Sequence, residues 1–296
     1  MIRVLILGAG GMLGHKLLQL WSTKYSVMGT VRKPLAFYDR YGIFEKGHLV
    51  DNVDVDDLAV VERVMSRVQP HFVVNCIGVI KQLEAANDPV ATISINSLLP
   101  HRIARLCHAA GARLLHISTD CVFSGNRGMY KETDPPDATD LYGRTKLLGE
   151  VSAAHCLTLR TSIIGRELTS RNGLIEWFLQ TAENEVHGFR RAIYTGLTTI
   201  ELARVLQSIM EAPKWLNGIY QVSSDPISKY ELLHLARKAF GISAEIIPAD
   251  TPAIDRSLDS TRFRQELGYA PPSWPSMIEE MAADKTDYRR KRSSGK

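Results

Sequence analysis

Gly8-Ala9-Gly10-Gly11-Met12-Leu13-Gly14 stands directly after an apolar, β-branched run over 3–7 and directly before an amphipathic stretch over 13–21. A strand, a glycine turn and a helix in that order predict an α/β protein with a doubly wound parallel sheet of Rossmann type that binds a dinucleotide. Glycines at 8, 11 and 14 let the chain turn sharply, let backbone N–H groups approach a pyrophosphate, and let the helix pack on the strand. Met12 and Leu13 complete the turn, and the helix N-terminus behind them faces the negative charge.

Outward from this turn the pattern repeats. Further strands are expected over 26–31, 48–53, 72–76, 113–118 and 157–162, with helices over 55–68, 91–110 and 142–155 between them. The run over 72–76 is apolar on both faces, as a strand covered by helices on each side should be. The second strand ends in Arg32-Lys33, and no acid follows before Asp39. A carboxylate there would bind a ribose hydroxyl, whereas a cation meets a 2′-phosphate, so NADP(H) is the expected coenzyme. Asp54, with Val55 beside it, follows the third strand and is placed to accept from the adenine amino group.

The later sequence is looser. The segment over 131–140 carries two prolines and four acids and must be a loop. A strand is expected over 218–224, a capped helix over 228–240, an edge strand over 245–248 and a turn into a helix over 257–267. Residues 1–164 and about 193–224 are expected to form the dinucleotide domain. Residues about 165–192 and 225–288 are expected to form a smaller substrate-binding lid, followed by a basic tail over 289–296.

Bulk properties narrow the class. Across 296 residues, 45% are apolar and 23% charged, which suits an ordinary globular protein. The net charge of +4 comes largely from the tail, so no nucleic-acid partner is expected. Cys76, Cys107, Cys121 and Cys156 show no CxxC pairing and read as reduced thiols of a cytoplasmic protein. Glycines interrupt the apolar start, which excludes a signal peptide reading, and no run is long enough for a membrane span. The histidines lack metal-ligand spacing, and no metal is expected. A homodimer is the base-rate expectation.

Tyr142 and Lys146 stand four apart at the start of a helix, hence on one face. Ser118-Thr119-Asp120 closes a preceding strand, where loops of open sheets carry chemistry. Hydride transfer to a ketone leaves an alkoxide that must receive a proton. A phenol is a poor acid–base partner at neutral pH unless a nearby ammonium lowers its pKa. Thr119 can hold and polarise the carbonyl oxygen.

Ser118-Thr119-Asp120-Cys121-Val122-Phe123-Ser124-Gly125, Tyr130-Lys131-Glu132, Pro135-Pro136 and Tyr142-Gly143-Arg144-Thr145-Lys146-Leu147-Leu148-Gly149-Glu150 resemble the core of the dTDP-4-dehydrorhamnose reductase family, among the extended short-chain dehydrogenase/reductases. Asn75-Cys76-Ile77-Gly78, Asn96, Arg160-Thr161-Ser162, Gly196-Leu197-Thr198-Thr199 and Arg256-Ser257-Leu258-Asp259 extend the resemblance over nearly the whole chain. It implies Thr119, Tyr142 and Lys146 as catalytic trio, NADPH-dependent reduction of a 4-keto group on a nucleotide-linked deoxysugar, and Asn96 supporting Lys146 through water. It also implies coenzyme contacts at Cys76, Ile77 and Gly78, and sugar contacts at Cys121, Val122 and Phe123.

One position departs. The family's usual tyrosine after Thr-Asp is Cys121, an arrangement similar to GDP-fucose synthase, whose thiol moves protons next to the ketone. Cys121 therefore reads either as a space filler beside the sugar or as an acid–base group, with His187 as its partner. Arg166, Arg190 and Arg191 fall where guanidinium groups could close on a nucleotide diphosphate. Two rivals stand: an epimerase or dehydratase with retained NAD, and a non-catalytic NADP-binding subunit resembling the methionine adenosyltransferase β subunit. Against the first, Asp120 is followed by Cys121 and not by the glutamate that dehydratases place there.

Overall fold

In the computed structural model, which describes residues 1–45, 47–81, 88–181 and 185–288, the repeated strand–helix pattern becomes a parallel sheet. The first half runs β1 (Arg3–Leu7), α1 (Met12–Trp21), β2 (Ser26–Thr30), α2 (Leu35–Asp39), β3 (Leu49–Val50), α3 (Leu58–Val68) and β4 (Phe72–Asn75). Then come α4 (Pro89–Thr92), a π-helical turn (Ile93–Leu98), α5 (Leu99–Ala109), β5 (Arg113–Ile117), α6 (Leu141–Leu148) and β6 (Cys156–Arg160). The second half has β7 (Ile163–Ile164), α7 (Leu174–Gln180), β8 (Val186–Phe189), β9 (Ala192–Tyr194), β10 (Leu197–Thr198), α8 (Thr199–Glu211) and β11 (Gly218–Gln221). It closes with β12 (Ile227–Ser228), α9 (Lys229–Phe240), β13 (Ile246–Ala249), β14 (Ile254–Asp255), α10 (Thr261–Leu267) and α11 (Trp274–Ala282).

Seven strands pair in the order β11-β6-β5-β4-β1-β2-β3, all parallel. The winding reverses between β1 and β4, and the crevice beyond those strand ends is where open sheets of this kind take ligands. The doubly wound sheet expected above is therefore the observed one. Side chains alternate along β1: Val4 and Ile6 join the core shared with α1 and α8, while Leu5 and Leu7 join the one shared with α3 and α5. Each such buried aliphatic side chain contributes about 1.5–3 kcal/mol.

Several boundaries differ from expectation for local reasons. The helix expected from 55 starts at Leu58, because Asp57 Oδ1 accepts from the Ala59 N–H at 3.0 Å and caps it. The helix expected over 91–110 starts earlier, with Asp88 as cap and Pro89 in its first turn, and widens into the π-turn over 93–98. The helix expected to reach 155 stops at Leu148, where a Cβ on Gly149 would run into the Asn96 carbonyl oxygen. Helices α2, α7, α8 and α11 carry no counterpart in the sequence reading.

Beyond the main sheet, β8 pairs with β13, and β9 pairs with both β12 and β14, so the stretches around 186–194 and 227–255 fold together. The basic tail over 289–296 lies outside the described residues. No described helix is long and apolar enough to cross a membrane.

Candidate active site

The glycine turn is built for close approach. Gly8 takes φ +85°, open to glycine at little cost, and a Cβ on Gly14 would run into the Gly8 carbonyl oxygen. Gly11 caps α1 without a side-chain hydrogen bond, leaving the first-turn N–H groups to a ligand. Leu13 is buried, so it serves this turn through its backbone, whereas Met12 is half-buried and its methyl lies 2.8 Å from where a Gly173 Cβ would be.

At the end of β2, Arg32 and Lys33 are exposed. Lys33 Nζ lies 3.9 Å from the Phe37 ring centroid, and the Arg40 guanidinium lies 4.2 Å from the same ring. Arg40 thus adds a third cation near this strand end, one that the sequence reading missed. Tyr38 packs on Gly10, where a Cβ would sit 2.8 Å from its ring. Asp54 is exposed and accepts from the Asp56 N–H at 3.1 Å, with Val55 half-buried next to it.

Past β4, the chain over 76–79 lines the same crevice. Ile77 packs against Gly8, 2.9 Å from where its Cβ would be, and burial pushes the half-buried Cys76 thiol up to about 12. Gly78 is exposed. Asn96, in the π-turn, pins this segment by accepting from the Val79 N–H at 2.9 Å and donating to the Val79 carbonyl at 3.0 Å.

Thr119, Cys121, Tyr142 and Lys146 come together at the C-terminal end of β5. Thr119 is extended; its Oγ1 accepts from the Cys121 N–H and donates to Asp120 Oδ1, both at 3.1 Å. Asp140 caps α6 by accepting from the Gly143 N–H at 2.9 Å, and so sets the first turn that carries Tyr142. Lys81, also missed in the sequence, bonds Asp140 at 2.8 Å and lies 5.9 Å from the Tyr142 ring centroid. Burial pushes the Tyr142 phenol up, Cys121 adds to this, and the Thr119 hydroxyl opposes it.

Lys146 is 5% exposed and donates to the Ile117 carbonyl at 2.7 Å. Burial lowers its ammonium to about 8, against the pull of Glu150. The lowering of the phenol expected from this ammonium is not seen: burial, Cys121, Asp120 and Asp140 raise Tyr142, and only the Thr119 hydroxyl opposes them. Under them lies an ion pair: Arg160 holds Glu150 bidentately at 2.8 and 2.7 Å, and Ser118 Oγ donates to Glu150 at 2.8 Å.

Cys121 is half-buried, and burial with the Asp120 charge pushes its thiol up to about 12. Asp120 is itself raised by burial, which Arg256 opposes; Arg256 also donates to the Phe123 carbonyl at 2.8 Å. Val122 and Phe123 are fully buried, Phe123 stacking on Tyr130 at 4.2 Å, so their side chains pack inward. Tyr194, unforeseen from the sequence, is buried with its charge interactions directed at Asp120 and Cys121. The only sequence signal for it is Gly196, whose Cβ would run into the Tyr194 hydroxyl.

The remaining candidates lie elsewhere. His187 is exposed on β8, opposite Ile247, with no bond to the reactive cluster among the described residues. Arg166 bonds Glu176 at 2.6 Å and lies over the Tyr288 ring at 4.4 Å. Arg190 holds Asp250 bidentately at 2.9 and 2.7 Å, and Arg191 is exposed.

The family described as "RmlD substrate binding domain" matches residues 2–286. The chain is 34% identical over 149 residues to a dTDP-4-dehydrorhamnose reductase of Streptomyces griseus, covering 50% of this chain and 43% of that protein. It is 32% identical over 149 residues to the bovine methionine adenosyltransferase 2 subunit beta, covering 50% of this chain and 41% of that protein. The matched stretch therefore spans less than half of either relative. Among solved structures, a dTDP-4-dehydrorhamnose reductase from Bacillus anthracis in complex with NADP superposes with TM-score 0.77 at 21% identity, over 95% of this chain and 99% of that one.

Proposed function

The chain belongs to the RmlD substrate binding domain family, and from that premise we propose that it reduces the 4-keto group of a nucleotide-linked deoxysugar with NADPH. One convergence carries the reading: Thr119, Tyr142 and Lys146 meet at the end of β5, beside a glycine turn shaped for a pyrophosphate. The crevice fits such a coenzyme. Gly8 and Gly14 clear its floor, the uncapped N-terminus of α1 offers N–H groups, and Arg32 with Lys33 suits a 2′-phosphate. When bound, NADPH supplies the hydride.

The chain's own residues do the rest. Thr119 holds the ketone oxygen, and Tyr142, kept protonated by burial, gives its proton to that oxygen as charge develops there. Lys146 donates to the Ile117 carbonyl and keeps a positive charge near the phenol that has lost its proton. We read residues 165–192 and 225–288 as the part that closes over the sugar nucleotide. Arg191 is the guanidinium there best suited to a diphosphate, because Arg166 and Arg190 already hold carboxylates.

The test is loss of NADPH absorbance with a panel of 4-keto nucleotide sugars, run beside NADH. Tyr142→Phe is expected to lower kcat by about 100-fold or more with coenzyme affinity unchanged. A chain that binds NADPH but never oxidises it with any ketone would instead match the non-catalytic reading suggested by the β subunit. A second reading, epimerisation before reduction, draws on Cys121: a thiol raised to about 12 is protonated at neutral pH and is fit to donate a proton. It requires solvent deuterium to enter the sugar next to the ketone in the unaltered chain and not in Cys121→Ser; equal exchange in both removes it.

A further inference from the structure

His116 lies on β5 one residue before the carbonyl that receives Lys146, and it is fully buried. Its neighbour Asn75 accepts from the Ile77 N–H at 3.1 Å through Oδ1, which fixes the amide and leaves Nδ2 to donate to His116 Nδ1 at 3.2 Å. An accepting Nδ1 places the proton of the neutral ring on Nε2. Burial first, then the charges of Lys146 and His101, keep the ring neutral. Nε2–H is thus a buried donor with no hydrogen-bond partner among the described residues. Buried donors of this kind commonly hold an internal water.

We propose that His116 is a positioning residue for Lys146, its Nε2–H fixing an internal water that hydrates the buried ammonium and feeds protons to it. The inference rests on the reading that Lys146 backs proton delivery by Tyr142. The step balances without any heavy-atom bond changing. Tyr142 gives its proton to the sugar oxygen, the phenolate regains one from Lys146, and the lysine amine regains one from the water. The water is resupplied from outside, and His116 keeps its own proton throughout. The groups facing His116 are Lys146 from α6, His101 from α5, the Asn75 amide from β4 and the Thr158 hydroxyl opposite it on β6. Lys146 also meets Glu150 on its own helix.

The experiment follows the Lys146 titration by NMR of 13C-lysine-labelled protein, assigned by its loss in Lys146→Met. In the unaltered chain burial is expected to bring it to about 8. His116→Leu removes the water's anchor, dries the ammonium and moves the titration to lower pH; His116→Gln, which carries an N–H donor to the same place, restores it. An unmoved titration in His116→Leu overturns the proposal whether or not the chain reduces a sugar. Should the leucine variant not fold, His116→Asn, which lacks the Nε2-side donor, makes the same comparison. In turnover, His116→Leu is expected to lose about tenfold in kcat with a larger solvent deuterium effect and unchanged coenzyme KM. Failure of the unaltered chain to reduce any 4-keto sugar would sink the reductase reading and leave the lysine titration to judge His116.

Discussion

Burial moves Tyr142 and Lys146 away from their solution values in opposite senses, and both shifts favour the neutral form. For the phenol this is useful, because it stays a proton donor through the working range. For the lysine it sets an upper limit. Its value in the fold is depressed to about 8, so the ammonium is present below that pH and lost as pH rises through it. The proposed reductase should therefore lose kcat as pH is raised past about 8, measured as a pH profile at saturating NADPH. Cys121 gives a second expectation: a thiol raised to about 12 should alkylate with iodoacetamide at pH 8 at least about tenfold more slowly than a free cysteine, followed by peptide mass mapping. The spacing of Tyr142 and Lys146 was legible in the sequence because one helical turn sets it. Tyr194 and Arg256 were not, because they reach Asp120 from β9 and from just beyond β14, across a distance no local pattern encodes.

Helix α1 is the element on which the proposed coenzyme binding turns, and Gly14 decides its distance from the turn before it. Gly14→Ala would force a methyl against the Gly8 carbonyl oxygen. The expected cost is about 2 kcal/mol in urea unfolding, with NADPH affinity lost as the helix is pushed outward. Strand and helix identities in the first half were readable because alternation and amphipathicity are local properties. The π-turn over 93–98 was not, since periodicity cannot register one extra residue per turn. Its consequence is specific: the widened turn buries Asn96, which fastens Val79 on both sides and presents its carbonyl to Gly149.

On the scale of the molecule, one distant piece of chain, residues 284–288, braces the helix proposed to hold the coenzyme. Lys16 bonds Asp284 at 2.6 Å, their side chains 5% and 13% exposed, and His15 bridges the Gly11 carbonyl and the Tyr288 hydroxyl at 2.8 and 3.0 Å. Asp284→Ala would strand the Lys16 ammonium and should cost about 3 kcal/mol, read as a lowered Tm. None of this was visible in the sequence, where 284–288 reads as the end of the lid segment. The sequence reading grouped the segments of β8 and β13 in one lid but could not pair the two strands, which lie far apart in the chain. The doubly wound half, by contrast, declares itself because each unit packs on its neighbour. His15 and Tyr288 are separated by 273 positions. During synthesis, then, the phosphate-binding turn leaves the ribosome well before residues 284–288, and its brace forms only after they follow. Over that interval a nascent chain carries the glycine turn without this brace.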